Sequence, residues 1–399
     1  MRDEAPAPHA RDELPVELFD RARSLAKTVE GQAQTAESLG RLQPECVEAL
    51  RASELLRAFL PSELGGHELS AAGLTALVEE IARQDGSAGW CFGMNGIVGG
   101  IAAAALAPAG VEAVFGARPA GQTFLAGGFP PQGQARREGE GWRVSGHFRF
   151  GSGIWHADFV VCTALELEGG RPVMDGSIPA MRSFVLPRDE VRVVDNWDVA
   201  GLQATGSCDY HLDGRLVDDA MSFRSSSLEA KRGRSLYTMP LLSLAGASHA
   251  GFALGVGKRA LDEIAAHARW RQRMGSSSPL ADRTSFQQGF ARARTRLASA
   301  RALLMNAYAD LARATHSPAG PSLSDRADAS AAVTNCYEAA IEAASFAFRA
   351  AGGAALFRDG RLQRCLRDIQ AGSQHIVVSD ESWERAAQVW LGIGEPQML

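Results

Sequence analysis

The chain has 399 residues, 46% hydrophobic and 22% charged, as in an ordinary globular protein long enough for two or three domains with sizeable cores. A net charge of -5, with the arginines spread along the chain, leaves no basic footprint for nucleic acid and makes a small molecule the expected partner. Six cysteines and nine histidines are scattered without metal-ligand spacing, which reads as buried thiols and no metal site.

The acidic, proline-containing start, Met1 to Leu14, lacks an apolar h-region and points to a cytoplasmic protein. From Glu17 to about Phe59 the spacing predicts two helices. One carries Leu18, Ala22, Leu25 and Val29 on a single face, the other Leu42, Val47, Leu50, Leu55 and Leu56. Pro61-Ser62-Glu63-Leu64-Gly65-Gly66 breaks the pattern. A third amphipathic run, Ala71 to Gln84, leads through Asp85-Gly86-Ser87-Ala88-Gly89-Trp90 into Ala-rich helices that reach about Phe115. The most apolar window, Gly96 to Val111, is cut by Pro108 and falls short of the roughly 20 residues that a bilayer needs, so it reads as a buried helix and no membrane association is expected.

Between about Thr123 and Phe223 the pattern changes to short β-rich runs, Trp142 to Phe150, Phe159 to Leu165, Arg182 to Leu186, Val191 to Val194 and Tyr210 to Leu212, separated by Gly, Pro and Asp turns. They predict a small antiparallel sheet or barrel. Within it, Gly141 to Phe150 alternates apolar and polar residues, pauses at Gly151-Ser152-Gly153 and resumes as a second apolar segment, Phe159 to Val161. Two strands around such a break would let a flat ligand approach the main chain, with the Ser152 hydroxyl on offer.

Helical spacing returns from about Leu236, with long runs at Leu236 to Arg273, Ser285 to Thr315, Ser324 to Ala351 and Leu362 to Leu391. The stripe Val333, Tyr337, Ala340, Ile341, Ala344 and Phe348 stops at Gly352-Gly353, as a helix C-terminus should. Four such helices predict an up-down bundle. The expected organisation is a helical domain over residues 1–120, a β domain over 121–232 and a bundle over 233–399.

This layout resembles the acyl-CoA dehydrogenase superfamily, and local strings carry the resemblance across nearly the whole chain. Pro61 to Gly66 is similar to its P-x-x-x-G-G turn, Ser87-Ala88-Gly89-Trp90 to its helix start near the flavin, and Gly141 to Gly146 to its G-x-x-x-x-G strand. Gly201-Leu202-Gln203-Ala204-Thr205-Gly206-Ser207 resembles its G-L-R-x-T-G-S loop, with Gln203 in the usual arginine place. Arg271-Gln272-Arg273-Met274-Gly275 resembles R-x-x-F-G, whose arginine reaches a flavin phosphate across a subunit interface. The resemblance implies a flavin held by Trp90, Ser152, Gly153, Trp155, Thr205, Arg271 and the Gly352-Gly353 turn, in a homotetramer.

Two chemistries compete within that superfamily. Dehydrogenation of an acyl thioester needs a carboxylate base. Here the string after Arg367-Asp368 runs Ile369-Gln370-Ala371-Gly372-Ser373-Gln374-His375-Ile376, and Tyr237 to Leu241 has no acid, so neither expected glutamate is present. The Gln374-His375 pair instead resembles the group D monooxygenases, oxygenase components that take reduced FMN or FADH2 from a separate NAD(P)H:flavin reductase and react it with O2. The resemblance implies a C4a-hydroperoxyflavin that hydroxylates a small aromatic, polyketide-like or amine substrate, with Ser152 near flavin N5 and His375 as the catalytic histidine. A histidine there can deprotonate or hydrogen-bond a phenol-like substrate or steady the peroxide near neutral pH. His156 is a second candidate at the substrate. Where the best-known aromatic hydroxylases place another histidine in the helical domain, Gly96 to Ala105 has only Gly, Ala, Ile and Val. The alternatives are an acyl-CoA dehydrogenase-like enzyme with a displaced base, Glu338 or Glu342, and a flavin-free ligand-binding member.

Overall fold

A computed structural model of the chain describes residues 15–272, 278–317 and 319–396. The start Met1 to Leu14, and Arg273, Met274 and Gly275 of the arginine string, lie outside the described residues. The N-terminal part has α1 (Val16–Ser24), α2 (Ala26–Leu39), α3 (Pro44–Ala52), α4 (Ala71–Gln84), α5 (Gly86–Ala105) and α6 (Pro108–Phe115). Three helices stand where two were expected, because the first run bends at Leu25 and Gly40 ends α2 with a left-handed φ of 68°. Ser70 and Asp85 cap α4 and α5 by accepting the backbone N–H groups of Gly73 and Ala88. The cap on α5 starts a helix whose fourth and fifth residues, Gly89 and Trp90, matter below. Gly89 is needed because a β carbon there would lie 2.4 Å from the Ala82 Cα of α4.

The central strands are β1 (Leu125–Glu138), β2 (Gly141–Gly151), β3 (Phe159–Glu168), the short β4 (Arg171–Pro172), β5 (Met174–Asp175) and β6 (Ile178–Pro179), then β7 (Met181–Pro187), β8 (Arg192–Val194), β9 (Cys208–Asp218) and β10 (Ser222–Arg224). The main sheet runs β10-β7-β3-β1-β2-β9-β8. It is mixed rather than antiparallel throughout: β1 and β3 pair in parallel, Leu125 opposite Phe159. After the β1–β2 hairpin the chain crosses back through the Ser152 turn, so β3 must run alongside β1 in the same direction. β1 was not visible in the sequence because Gly127-Gly128 and Pro130-Pro131 interrupt its alternation, and the register shifts at those places.

The C-terminal helices are α7 (Leu241–Ala268), α8 (Thr284–Thr315), α9 (Leu323–Ala351), α10 (Arg361–Gly372) and α11 (Asp380–Trp390). The fourth expected run is therefore split. α10 ends at Gly372, and His375, in extended conformation, caps a short turn, Ile376–Val378, by accepting the Val377 N–H on its ring. His375 thus sits in a break between helices, not on a helix. Two ties hold this break to the β domain: the Leu202 N–H donates to Asp368 Oδ1 at 2.7 Å, and Arg367 donates to the Ala200 carbonyl at 2.6 Å.

α7 packs closely on α4 because Gly251 and Gly255 face its backbone. A β carbon at Gly251 would stand 2.5 Å from the Thr75 carbonyl oxygen, and one at Gly255 would stand 2.5 Å from that of Glu79. Gly251→Val is expected to lower stability by roughly 1–3 kcal/mol through overpacking, read as a lower denaturation midpoint. An unchanged midpoint would contradict this close contact.

Candidate active site

The Gly151-Ser152-Gly153 turn is fastened on all sides. Asn95 of α5 donates to the Ser152 carbonyl at 3.0 Å, and the Gly153 N–H donates to the Thr205 carbonyl at 2.8 Å. Gly153 has φ 74°, a conformation that favours glycine, and a β carbon there would meet Asn95 Oδ1 at 2.9 Å. The Ser152 side chain is buried and meets Trp90 Nε1 at 3.0 Å and Ser207 Oγ at 2.8 Å. Ser207 in turn lies 2.6 Å from Thr205 Oγ1, which donates to the Leu202 carbonyl at 2.8 Å. The loop from Leu202 to Ser207 is thus joined to Ser152 through hydroxyls and to α10 through Asp368.

Trp90 links this turn to two histidines. Its ring meets His249 at a centroid distance of 5.1 Å and His375 at 6.0 Å, both edge to face, and it also packs edge-on against Phe252 at 5.1 Å. The two imidazoles lie against each other with centroids 4.1 Å apart. His249 is wholly buried on α7, and its Nδ1 lies 3.2 Å from the Tyr337 hydroxyl of α9. Gly372 makes room for the cluster, since a β carbon there would strike Phe252 at 2.5 Å and Trp90 at 3.3 Å.

Burial holds His375 down at about 4, and burial followed by the neighbouring His375 keeps His249 well below the ordinary histidine value. Both rings are therefore neutral near pH 7. Because Val377 N–H donates to His375 Nδ1 at 3.3 Å, the neutral ring carries its proton on Nε2. His375 is then a hydrogen-bond donor set in an aromatic, uncharged surround.

The structure brings Trp90, Ser152, Gly153, Thr205 and His375 together. Trp155 and His156 follow the turn, and Trp155 packs close to Gly206 of the neighbouring loop. The guanidinium groups of Arg41 and Arg188 lie 5.0 and 5.3 Å from the Trp155 ring centroid. The His156 ring bonds the Leu42 backbone, with its Nε2 buried and unpartnered. Arg271, Gly352 and Gly353 are exposed on the surface of the single chain. Glu338 and Glu342, proposed as displaced bases, lie on the outer side of α9. They are about half-exposed, pair with Arg296 at 4.0 and 2.8 Å, and Glu338 also accepts from Trp383, so neither is positioned as a base for this site.

Two residues escaped the sequence reading. His249 stands in Gly246-Ala247-Ser248-His249-Ala250-Gly251, where a lone polar ring in a small-residue helix was the available signal. Phe150, directly before the turn, is 63% exposed with φ 64°, an uncommon conformation for a bulky residue, and meets Trp197 edge-on at 6.3 Å.

Two family models match the chain: acyl-CoA dehydrogenase, N-terminal domain, over residues 16–113, and acyl-CoA dehydrogenase, C-terminal domain, over residues 247–380. An indole-3-acetate monooxygenase of Pseudomonas putida is 29% identical over 388 residues, covering 96% of this chain and 91% of that protein. The flavin-dependent monooxygenase oxygenase subunit HsaA of Rhodococcus jostii is 27% identical, covering 94% and 97%. Among solved structures, XiaF from Streptomyces, in complex with FADH2 and glycerol, superposes with a TM-score of 0.88 at 21% identity over 97% of this chain and 98% of that one, a likeness of fold.

A pH dependence follows from the lowered His375 basicity. As pH falls from about 6.5 towards about 4, the unfolded chain takes up the His375 proton first, so this group withdraws stability over that window and contributes it fully above. Urea midpoints of the parent should therefore fall more steeply with acid than those of His375→Phe, whose other titrating groups are the same. Parallel pH curves would contradict the neutral, half-buried histidine.

Proposed function

We propose a site-level account of this chain, which belongs to the acyl-CoA dehydrogenase superfamily and is a reduced-flavin-dependent monooxygenase. The observation that carries the account is the contact of Trp90 with both Ser152 and the His249–His375 pair. The residues present fit a flavin. The Ser152 hydroxyl is buried in the turn that follows β2, and Ser152 Oγ, already bonded to Trp90 and Ser207, keeps further hydrogen-bonding capacity. Ser152, Gly153 and Trp90 would hold the reactive edge. Arg271, exposed where α7 ends, and the exposed Gly352-Gly353 turn suit the phosphate end, completed in a homotetramer by a neighbouring copy.

Reduced FMN or FADH2, delivered by a separate NAD(P)H:flavin reductase in the cytoplasm, supplies the two electrons that activate O2. The chain's own part is binding, orientation and exclusion of water. His375 donates its Nε2–H to an oxygen on the reacting side, and His249, fastened by Tyr337, backs the ring so that this donor keeps one direction. Trp90 and Phe252 keep the surround dry. With the relatives as support, the substrate is a small aromatic molecule whose hydroxylation needs no carboxylate base. That agrees with burial as the one cause of the His375 shift, with no carboxylate acting on the ring.

Mixing the protein with chemically reduced FMN or FADH2 and oxygen in a stopped-flow cell should give a transient absorbance distinct from both reduced and oxidised flavin. Reoxidation at the rate of free flavin, without such a transient, would contradict the assignment. In His375→Ala, product formed per reduced flavin consumed should fall by on the order of 10²-fold with the fold intact. Unchanged coupling would remove His375 from the mechanism.

A further inference from the structure

We propose that Thr205 and Ser207 fix the direction of the hydroxyl chain behind Ser152, making Ser152 a hydrogen-bond acceptor that selects flavin carrying a hydrogen on N5. The inference rests on the reading that the flavin N5 edge faces Ser152, and it assigns Thr205 and Ser207 as positioning residues.

The direction follows from which groups can only accept and which can only donate. The Leu202 carbonyl only accepts, so the Thr205 hydroxyl donates to it at 2.8 Å. With its single proton spent, Thr205 can only accept across the 2.6 Å contact, so Ser207 donates there. Ser207 has then spent its proton too, and the 2.8 Å contact with Ser152 must run from Ser152 to Ser207. At the other end the indole N–H of Trp90 only donates, and Ser152 accepts it at 3.0 Å. All four links run one way, from Trp90 to the Leu202 carbonyl. Ser152 is left with one open lone pair and no free proton. Thr205 is 1% exposed and Ser207 3%, so water does not compete for these hydroxyls.

A reduced flavin has N5–H, a donor that matches this lone pair. An oxidised flavin presents a bare N5 lone pair, and two acceptors then face each other in a buried site, where an unmatched polar contact is costly. The loop is held firmly enough to keep the direction, because Leu202 N–H is anchored on Asp368 and Gly153 N–H on the Thr205 carbonyl.

The test measures binding. Oxidised FMN and FAD are titrated in air, and their dithionite-reduced forms without oxygen, against the parent, Ser207→Ala, Thr205→Val and Thr205→Ser, with far-ultraviolet circular dichroism and thermal melting confirming the fold. In the parent, reduced flavin should bind at least about tenfold more tightly than oxidised. Ser207→Ala frees the Ser152 proton directly. Thr205→Val frees it indirectly, since Ser207, without an acceptor, turns to donate to Ser152. Both should shrink the preference about tenfold, mainly by tightening oxidised flavin, and Thr205→Ser should restore it. Equal binding of both redox forms by the parent, or a preference unchanged in the two folded variants, overturns the proposal and leaves the flavin site standing. If the parent binds neither form, the flavin reading fails and the proposal falls with it.

Discussion

The contact on which this site depends is the indole of Trp90. Its N–H reaches the Ser152 hydroxyl of the β domain, while its ring forms the wall against which His249, His375 and Phe252 pack from the C-terminal helices. Three parts of the chain, separate in sequence, meet on one rigid side chain with few torsions to fix. Remove the indole and Ser152 and His375 lose their common partner, although neither would lose its own backbone anchors.

The packing around Trp90 is made by the absence of side chains as much as by their presence. Gly89 lets α5 lie on α4, Gly251 and Gly255 bring α7 against α4, and Gly372 ends α10 where the Trp90 and Phe252 rings need space. Asp368, one turn before the end of the same short helix, takes the Leu202 N–H. Burial, and then Asp85 nearby, raises its carboxyl to about 7. The two ends of the site are therefore tied by one α10 segment, with the serine and threonine loop on one side and the histidine on the other. His375 can project towards Trp90 because the helix stops before it, so the break in α10–α11 is what builds the centre.

Much of this was readable in the sequence, for physical reasons that differ by element. The long helices announce themselves by apolar spacing, and the Ser152 turn by glycines between two β-rich runs. His375 stood out through the string around it and the missing glutamates. What stayed hidden depended on contact between distant segments. His249 lies in a run of small residues that says only that the helix is buried, and its partners Tyr337 and His375 come from about 90 and 126 residues further along the chain. The parallel pairing of β1 with β3 was masked by glycines and prolines. The break at His375 was masked by Val377, Val378 and Trp383, whose apolar spacing continues the helical pattern across it. The inward turn of Thr205 could be read only once its hydroxyl partners were in place.

The most direct measurement is the yield of hydroxylated product per reduced flavin consumed in Trp90→Phe, which keeps an aromatic ring against the histidines and deletes the N–H that Ser152 accepts. If Trp90 joins the serine and the histidine into one reacting centre, the variant melts within a few degrees of the parent while its yield drops about tenfold and peroxide rises in step. A folded Trp90→Phe with the parent's yield would contradict that joining.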